Sequence, residues 1–145
     1  MQIYIDGVLR FVTPDDRMAG NLHLDTGTHR ITAKAWDDWG AFSTTTIVTS
    51  CSNTVNRTVK ICTPQNRESF QSRLGGPAEF EFVAVAATDL KFSGIQLYID
   101  GFLFNTLSSK LLTVTAQVHI GEHRITVKGW DSTGAFSSSV TVDVR

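Results

Sequence analysis

The stretch Ile3-Tyr4-Ile5-Asp6-Gly7-Val8-Leu9 recurs as Leu97-Tyr98-Ile99-Asp100-Gly101-Phe102-Leu103. His29-Arg30-Ile31-Thr32 recurs as His123-Arg124-Ile125-Thr126, and Trp36-Asp37 with Gly40-Ala41-Phe42-Ser43 recurs as Trp130-Asp131 with Gly134-Ala135-Phe136-Ser137. A single offset of 94 residues relates all three pairs. One module is therefore written twice without a gap, and the fold that packs one copy must also serve the other. The second copy is the fuller one: residues 58–94 have no counterpart at the start of the first.

The local pattern is that of strands. From Ile95, the residues Ile95, Leu97 and Ile99 share one face, while Gln96, Tyr98 and Asp100 share the other, as in a half-buried strand. Asp100-Gly101 then separates this run from Phe102-Leu103-Phe104, and Asp6-Gly7 does the same in the first copy. An Asp-Gly pair between apolar runs is a strong hairpin signal, because a type I′ turn needs positive φ at both central residues. Leu112–Val118 alternates, Gly121-Glu122 marks a turn, and His123–Trp130 forms a further strand with Ile125, Val127 and Gly129 on one face. Phe136–Val144 closes the copy, with Val140, Val142 and Val144 inward. Ahead of these lie a short β-rich run, Thr58–Ile61, and a loop-like stretch, Gln65–Gly76, that includes Arg73. Ala78–Ala87 then turns Ala78, Phe80, Phe82, Ala84 and Ala86 inward. No segment keeps a helical apolar period. The expectation is an all-β chain, and short strands with turn signals at this spacing read as a β-sandwich.

The Ile95-Gln96-Leu97-Tyr98-Ile99-Asp100-Gly101 run, the Gly121-Glu122-His123-Arg124-Ile125-Thr126-Val127 strand and the Trp130-Asp131-Ser132-Thr133-Gly134 turn resemble tandem bacterial immunoglobulin-like domains. The resemblance implies an immunoglobulin-like β-sandwich. Residues 58–145 would form a complete domain with strands A to G. Residues 51–57 would form a linker. Residues 1–50 would form a partial copy with strands C to G, lacking strands A and B. In such a copy Leu22 and Leu24 lie inward on strand E and face nothing. Sequence upstream of Met1, or a neighbouring chain, is expected to supply the two strands. Domains of this kind occur in large secreted and cell-surface proteins, which implies an extracellular setting, neighbouring immunoglobulin-like domains as partners, and a role in spacing, presentation or adhesion. The family shares no catalytic residues, so none is carried over.

Composition removes several other classes. With 41% hydrophobic and 19% charged residues the chain is globular, not disordered. A net charge of −1 gives no basic footprint for nucleic acid, and no apolar run is long enough for membrane insertion. Neither a Gly-x-Ser-x-Gly elbow nor a Cys–His pair supports nucleophilic catalysis, so the chain is read as non-enzymatic, with no cofactor. His29 and His123 begin equivalent strands and read as hydrogen-bonding residues. Asp37 and Asp131 sit at turns, where an aspartate commonly accepts from backbone amides; one or two carboxylates per turn are too few for a calcium site, and no metal is expected. Asn56-Arg57-Thr58 matches a glycosylation sequon.

Two features remain open. Cys51 and Cys62 flank the junction and read either as a disulfide or as two free thiols. Tyr98 and Trp130 point outward from neighbouring strands with Lys128 alongside, as do Tyr4, Trp36 and Lys34 in the first copy. These rings read either as cross-strand sheet stabilisers or as a surface for a polysaccharide or host-surface ligand, which would suit an accessory module of a secreted enzyme.

Overall fold

The computed structural model describes residues 1–72 and 75–145, so Arg73, expected within a loop, lies outside the described residues. The chain divides into two compact units, Met1–Ser50 and Cys51–Arg145. Among the described residues all regular structure is strand, and no helix is long and apolar enough to cross a membrane.

The first unit holds β1 (Gln2–Ile5), β2 (Val8–Val12), β3 (Gly27–Asp37) and β4 (Gly40–Ser50), in one sheet of order β2-β1-β3-β4. The second holds β5 (Thr58–Thr63), β6 (Glu68–Phe70), β7 (Ala78–Ala87), β8 (Phe92–Ile99), β9 (Phe102–Leu107), β10 (Leu111–Val118), β11 (Gly121–Asp131) and β12 (Gly134–Val144). These make two sheets, β10-β7-β5 and β6-β12-β11-β8-β9. The architecture is an immunoglobulin-like β-sandwich in the second unit. The first unit repeats four of the five strands of the larger sheet: β1, β2, β3 and β4 correspond to β8, β9, β11 and β12, and β6 has no counterpart.

The Asp-Gly signals take the geometry their chemistry favours. Asp100 and Gly101 have φ of 53° and 84°, and Asp6 and Gly7 have 51° and 82°. Both are left-handed pairs, the type I′ requirement. Ile99 pairs with Phe102, and Ile5 with Val8, across two-residue loops. Each hairpin also carries a bulge beside the tyrosine, at Leu97/Tyr98 and at Ile3/Tyr4.

Alternation builds the core. Phe82, Ile95, Leu97, Leu112, Ile125, Val127, Val142 and Val144 are almost fully buried between the two sheets of the second unit. Burying such side chains contributes about 1.5–3 kcal/mol each. Phe80 stacks on Phe70 with ring centroids 3.8 Å apart, which closes one edge of this core.

Two expectations need correction. Strand E of the first copy does not form: residues 13–26 lie outside the strands, and Leu22 and Leu24 are in irregular backbone. In the second unit β10 is held by its ladder to β7, from Leu111↔Val85 to Val118↔Ala78. The first unit has no equivalent of β7, so the same alternation has no ladder to join. Second, the stretch from Gln65 is not all loop. Glu68–Phe70 forms β6 and pairs parallel with β12, Val142↔Glu68 to Val144↔Phe70.

Candidate functional site

The outward face of β8 and β11 carries the aromatic residues. Register places Tyr98 opposite Thr126, Gln96 opposite Lys128 and Trp130 opposite Gly94. Tyr98 and Trp130 are therefore not a direct cross-strand pair; a whole rung, Gln96 with Lys128, stands between them. That rung joins them. The Tyr98 hydroxyl donates to Gln96 Oε1 at 2.9 Å, and the Trp130 indole N–H donates to the same oxygen at 2.9 Å. Lys128 Nζ lies 4.4 Å from the Tyr98 ring centroid, within cation–π range. Tyr98 is half-buried, whereas Trp130 remains 38% exposed.

The first unit repeats part of this arrangement. Tyr4 donates to Gln2 Oε1 at 2.7 Å, Lys34 Nζ lies 5.0 Å from the Tyr4 ring, and Trp36 is 52% exposed. Gln96 and Gln2 were missed in the sequence reading. The signal was present, since both obey the repeat offset and lie two residues before the tyrosine on the same strand face.

Behind each hairpin turn sits a second repeated set. Asp100 Oδ1 accepts from the Arg124 backbone N–H at 2.8 Å, and Oδ2 lies 2.6 Å from His123 Nδ1. His123 Nε2 lies 2.8 Å from the His119 carbonyl. Asp6, Arg30, His29 and Asp25 repeat the pattern, each contact at 2.8 Å. Hydrogen bonds from the Arg30 amide and then His29 hold Asp6 below the usual carboxylate range. Burial pushes Asp100 upward, but His123 and the Arg124 amide outweigh it and the net direction is down. Each histidine ties the turn to the next strand of the sheet, and this use engages both ring nitrogens.

Asp131 is buried at the β11–β12 turn. Its Oδ1 accepts from the Thr133 amide at 2.9 Å and the Thr133 hydroxyl at 2.7 Å; Oδ2 accepts from Thr88 at 2.9 Å and Arg57 Nε at 3.0 Å. Burial alone would raise its pKa, but these four donors hold it well below the ordinary carboxylate range. Its counterpart Asp37 is exposed and accepts from the Trp39 amide at 2.9 Å. Among the described residues no group of three or more His, Cys, Asp or Glu side chains converges as metal ligands would.

Cys51 and Cys62 form a disulfide, with Cα atoms 5.8 Å apart. The segment between Cys51 and β5 is held to the second unit by further bonds. Asn53 Nδ2 donates to the Thr58 and Val85 carbonyls at 3.1 and 3.2 Å, and the Asp89 amide donates to Asn56 Oδ1 at 3.0 Å.

No protein-family model matches the chain, and no curated protein matches it in sequence. Solved structures do. The fibronectin(III)-like modules of CbhA from Clostridium thermocellum match with a TM-score of 0.51 and 21% identity, over 61% of this chain and 96% of that one. The endo-β-1,4-mannanase from Thermotoga petrophila matches with a TM-score of 0.51 and 13% identity, over 64% of this chain but 20% of the mannanase. At these identities the likeness concerns the fold, an immunoglobulin- or fibronectin(III)-like β-sandwich.

Proposed function

We propose that the chain is a non-catalytic module of a bacterial extracellular or surface protein, one of a tandem array of immunoglobulin-like domains that space or present other parts of the polypeptide. The observation that carries this reading is how the repeated side chains are used. The aromatic–lysine–glutamine set and the Asp–His–Arg set bond across their own sheet, and this is the work of a stiff scaffold. The Asp131 carboxylate likewise has a donor for each of its lone-pair directions within the fold. The disulfide supports an oxidising compartment. The shared fold with fibronectin(III)-like modules and with part of a mannanase supports membership of a multidomain protein.

One observation favours a second reading, an accessory module for polysaccharide. Beside the exposed edge of Trp130 runs a shallow groove of about 240 Å³, lined by Ser93, Gly94, Gln96 and Thr106. An indole beside hydroxyl and amide groups suits stacking on a sugar ring. Pull-down on insoluble polysaccharides together with glycan arrays separates the two. A spacer is retained on none of them. Retention that disappears in Trp130→Ala, with an unchanged circular dichroism spectrum, would replace the spacer reading with the accessory one.

A further inference from the structure

The two copies can be laid over each other position by position, and the second shows what the first requires. In the second unit the inner faces of β8, β11 and β12 are covered by the sheet β10-β7-β5, whose central strand turns Phe80, Phe82, Ala84 and Ala86 toward them. Ile95, Leu97, Ile125 and Val142 are 0% exposed as a result. In the first unit Ile3, Ile31 and Ala33, the counterparts of Leu97, Ile125 and Val127, line an open apolar groove of about 370 Å³.

Three further observations converge on the same face. In the repeat Met18, Leu22 and Leu24 are the sequence counterparts of Leu112, Ala116 and Val118 of β10, so the segment keeps the apolar pattern of a strand that pairs with β7 although it forms no strand itself. Met18 and Leu22 lie against the groove. Phe42 is 60% exposed, whereas its counterpart Phe136 packs partly buried against the second unit's core and under the Arg57 guanidinium, 5.7 Å from its ring. Asp37 is exposed, whereas Asp131 receives Thr88 from the residue after β7 and Arg57 from the residue before β5.

We infer that the first unit is an acceptor for an added β-strand with the pattern of β7. The strand docks across Ile3, Ile31 and Ala33 and pairs along Met18–Leu24, which then becomes the edge strand that β10 is in the second unit. The occupant is an extended segment with alternate Ala and Phe side chains on one face, two acidic and then two β-branched apolar residues on the other, as Glu79, Glu81, Val83 and Val85 are in β7, and a Thr after its last strand position to reach Asp37. Main-chain bonds supply affinity and the alternate pockets supply specificity, as in other strand additions. One detail distinguishes this site from that in the second unit. A Cβ on Gly129 would meet the Phe136 ring at 2.7 Å and the Ala86 Cβ at 3.2 Å, and the first unit has Ala35 at that position. Phe42 therefore has to turn its ring aside, and a docking strand with Gly in place of Ala86 fits better than β7 itself.

The test uses the full chain and a labelled synthetic peptide of its own residues 77–89. Binding is read by fluorescence anisotropy and amide protection by hydrogen exchange. The peptide is expected to bind, to slow exchange at Leu22–Leu24 and Ile31 by about tenfold or more, and to bind more tightly when it carries Ala86→Gly. A peptide carrying Phe82→Asp should bind about tenfold or more weakly. Leu24→Pro lies outside the strands of the free protein, so the sheet is retained while the new ladder is blocked and binding is lost. Absence of binding, protection confined to residues 51–145, or a dimer of the full chain that protects Met18–Leu24 without peptide would each overturn the inference.

Discussion

At the scale of single residues, the aspartate–histidine pair behind each hairpin shows how a polar group can set register. Both ring nitrogens of His29 face acceptors, the Asp6 carboxylate and the Asp25 carbonyl, each at 2.8 Å. Neither partner can donate, so the doubly protonated ring satisfies both. The Asp6 bond first, and the Asp25 carbonyl second, raise His29 above its ordinary 6.5. A raised folded value means that the stabilisation is complete below the unfolded value and is lost as pH rises through the folded one. The first unit should therefore hold its β1–β2 turn more firmly at about pH 5.5 than at about pH 8.5, and His29→Gln should remove that difference. An NMR titration of the ring measures this directly: a His29 midpoint at or below 6.5 would contradict it.

At the scale of elements, the hairpins and the long strands are legible in the sequence because their signals are local. Asp-Gly demands positive φ, and alternation over Ile95–Ile99 or Ile125–Gly129 assigns a face without knowledge of partners. What was not legible depends on register or on distant chain. The bond from the Arg124 amide to Asp100 spans 24 residues, and that from Arg57 to Asp131 spans 74. Tyr98 and Trp130 looked like neighbours until register put Gln96 and Lys128 between them. Residues 13–26 show the opposite failure, a strand pattern with no ladder to complete it. The disulfide is an element-scale device of the same kind, since it fastens a segment that has no strand of its own to β5. Its closed loop is short, with a sequence separation of 11, so the chain-entropy account assigns it about 2–3 kcal/mol. The unfolding free energy of the full chain from urea titration should fall by that amount with reductant, lowering the midpoint, and Cys51→Ser with Cys62→Ser should match the reduced protein. A midpoint that reductant leaves unmoved would mean that Asn53, Asn56 and Arg57 hold the segment unaided.

At the scale of the whole molecule, two copies of one pattern differ sharply in how much they bury. The second unit has two sheets facing each other across a core that includes Phe82, Ile95, Leu97 and Ile125. The first has a single sheet, and among the described residues Ile5, at 7% exposure, is its one member of the buried apolar set. Its outer strands β2 and β4 are exposed along most of their length. Backbone ordering costs about 1–2 kcal/mol per residue in both units, but only the second offsets that cost with a sandwich core. Opening should therefore occur in two tiers. Hydrogen exchange on the intact, dilute chain should show β7, β8 and β11 amides protected to the global limit and β1, β3 and β4 amides exchanging about a hundredfold faster or more. The comparison is controlled within one molecule, because β3 and β11 share length, turn chemistry and most of their sequence, and differ chiefly in whether a second sheet covers them. Equal protection of the Ile31 and Ile125 amides would show that a single sheet suffices for this sequence, and would remove the physical reason for the first unit to accept a further strand.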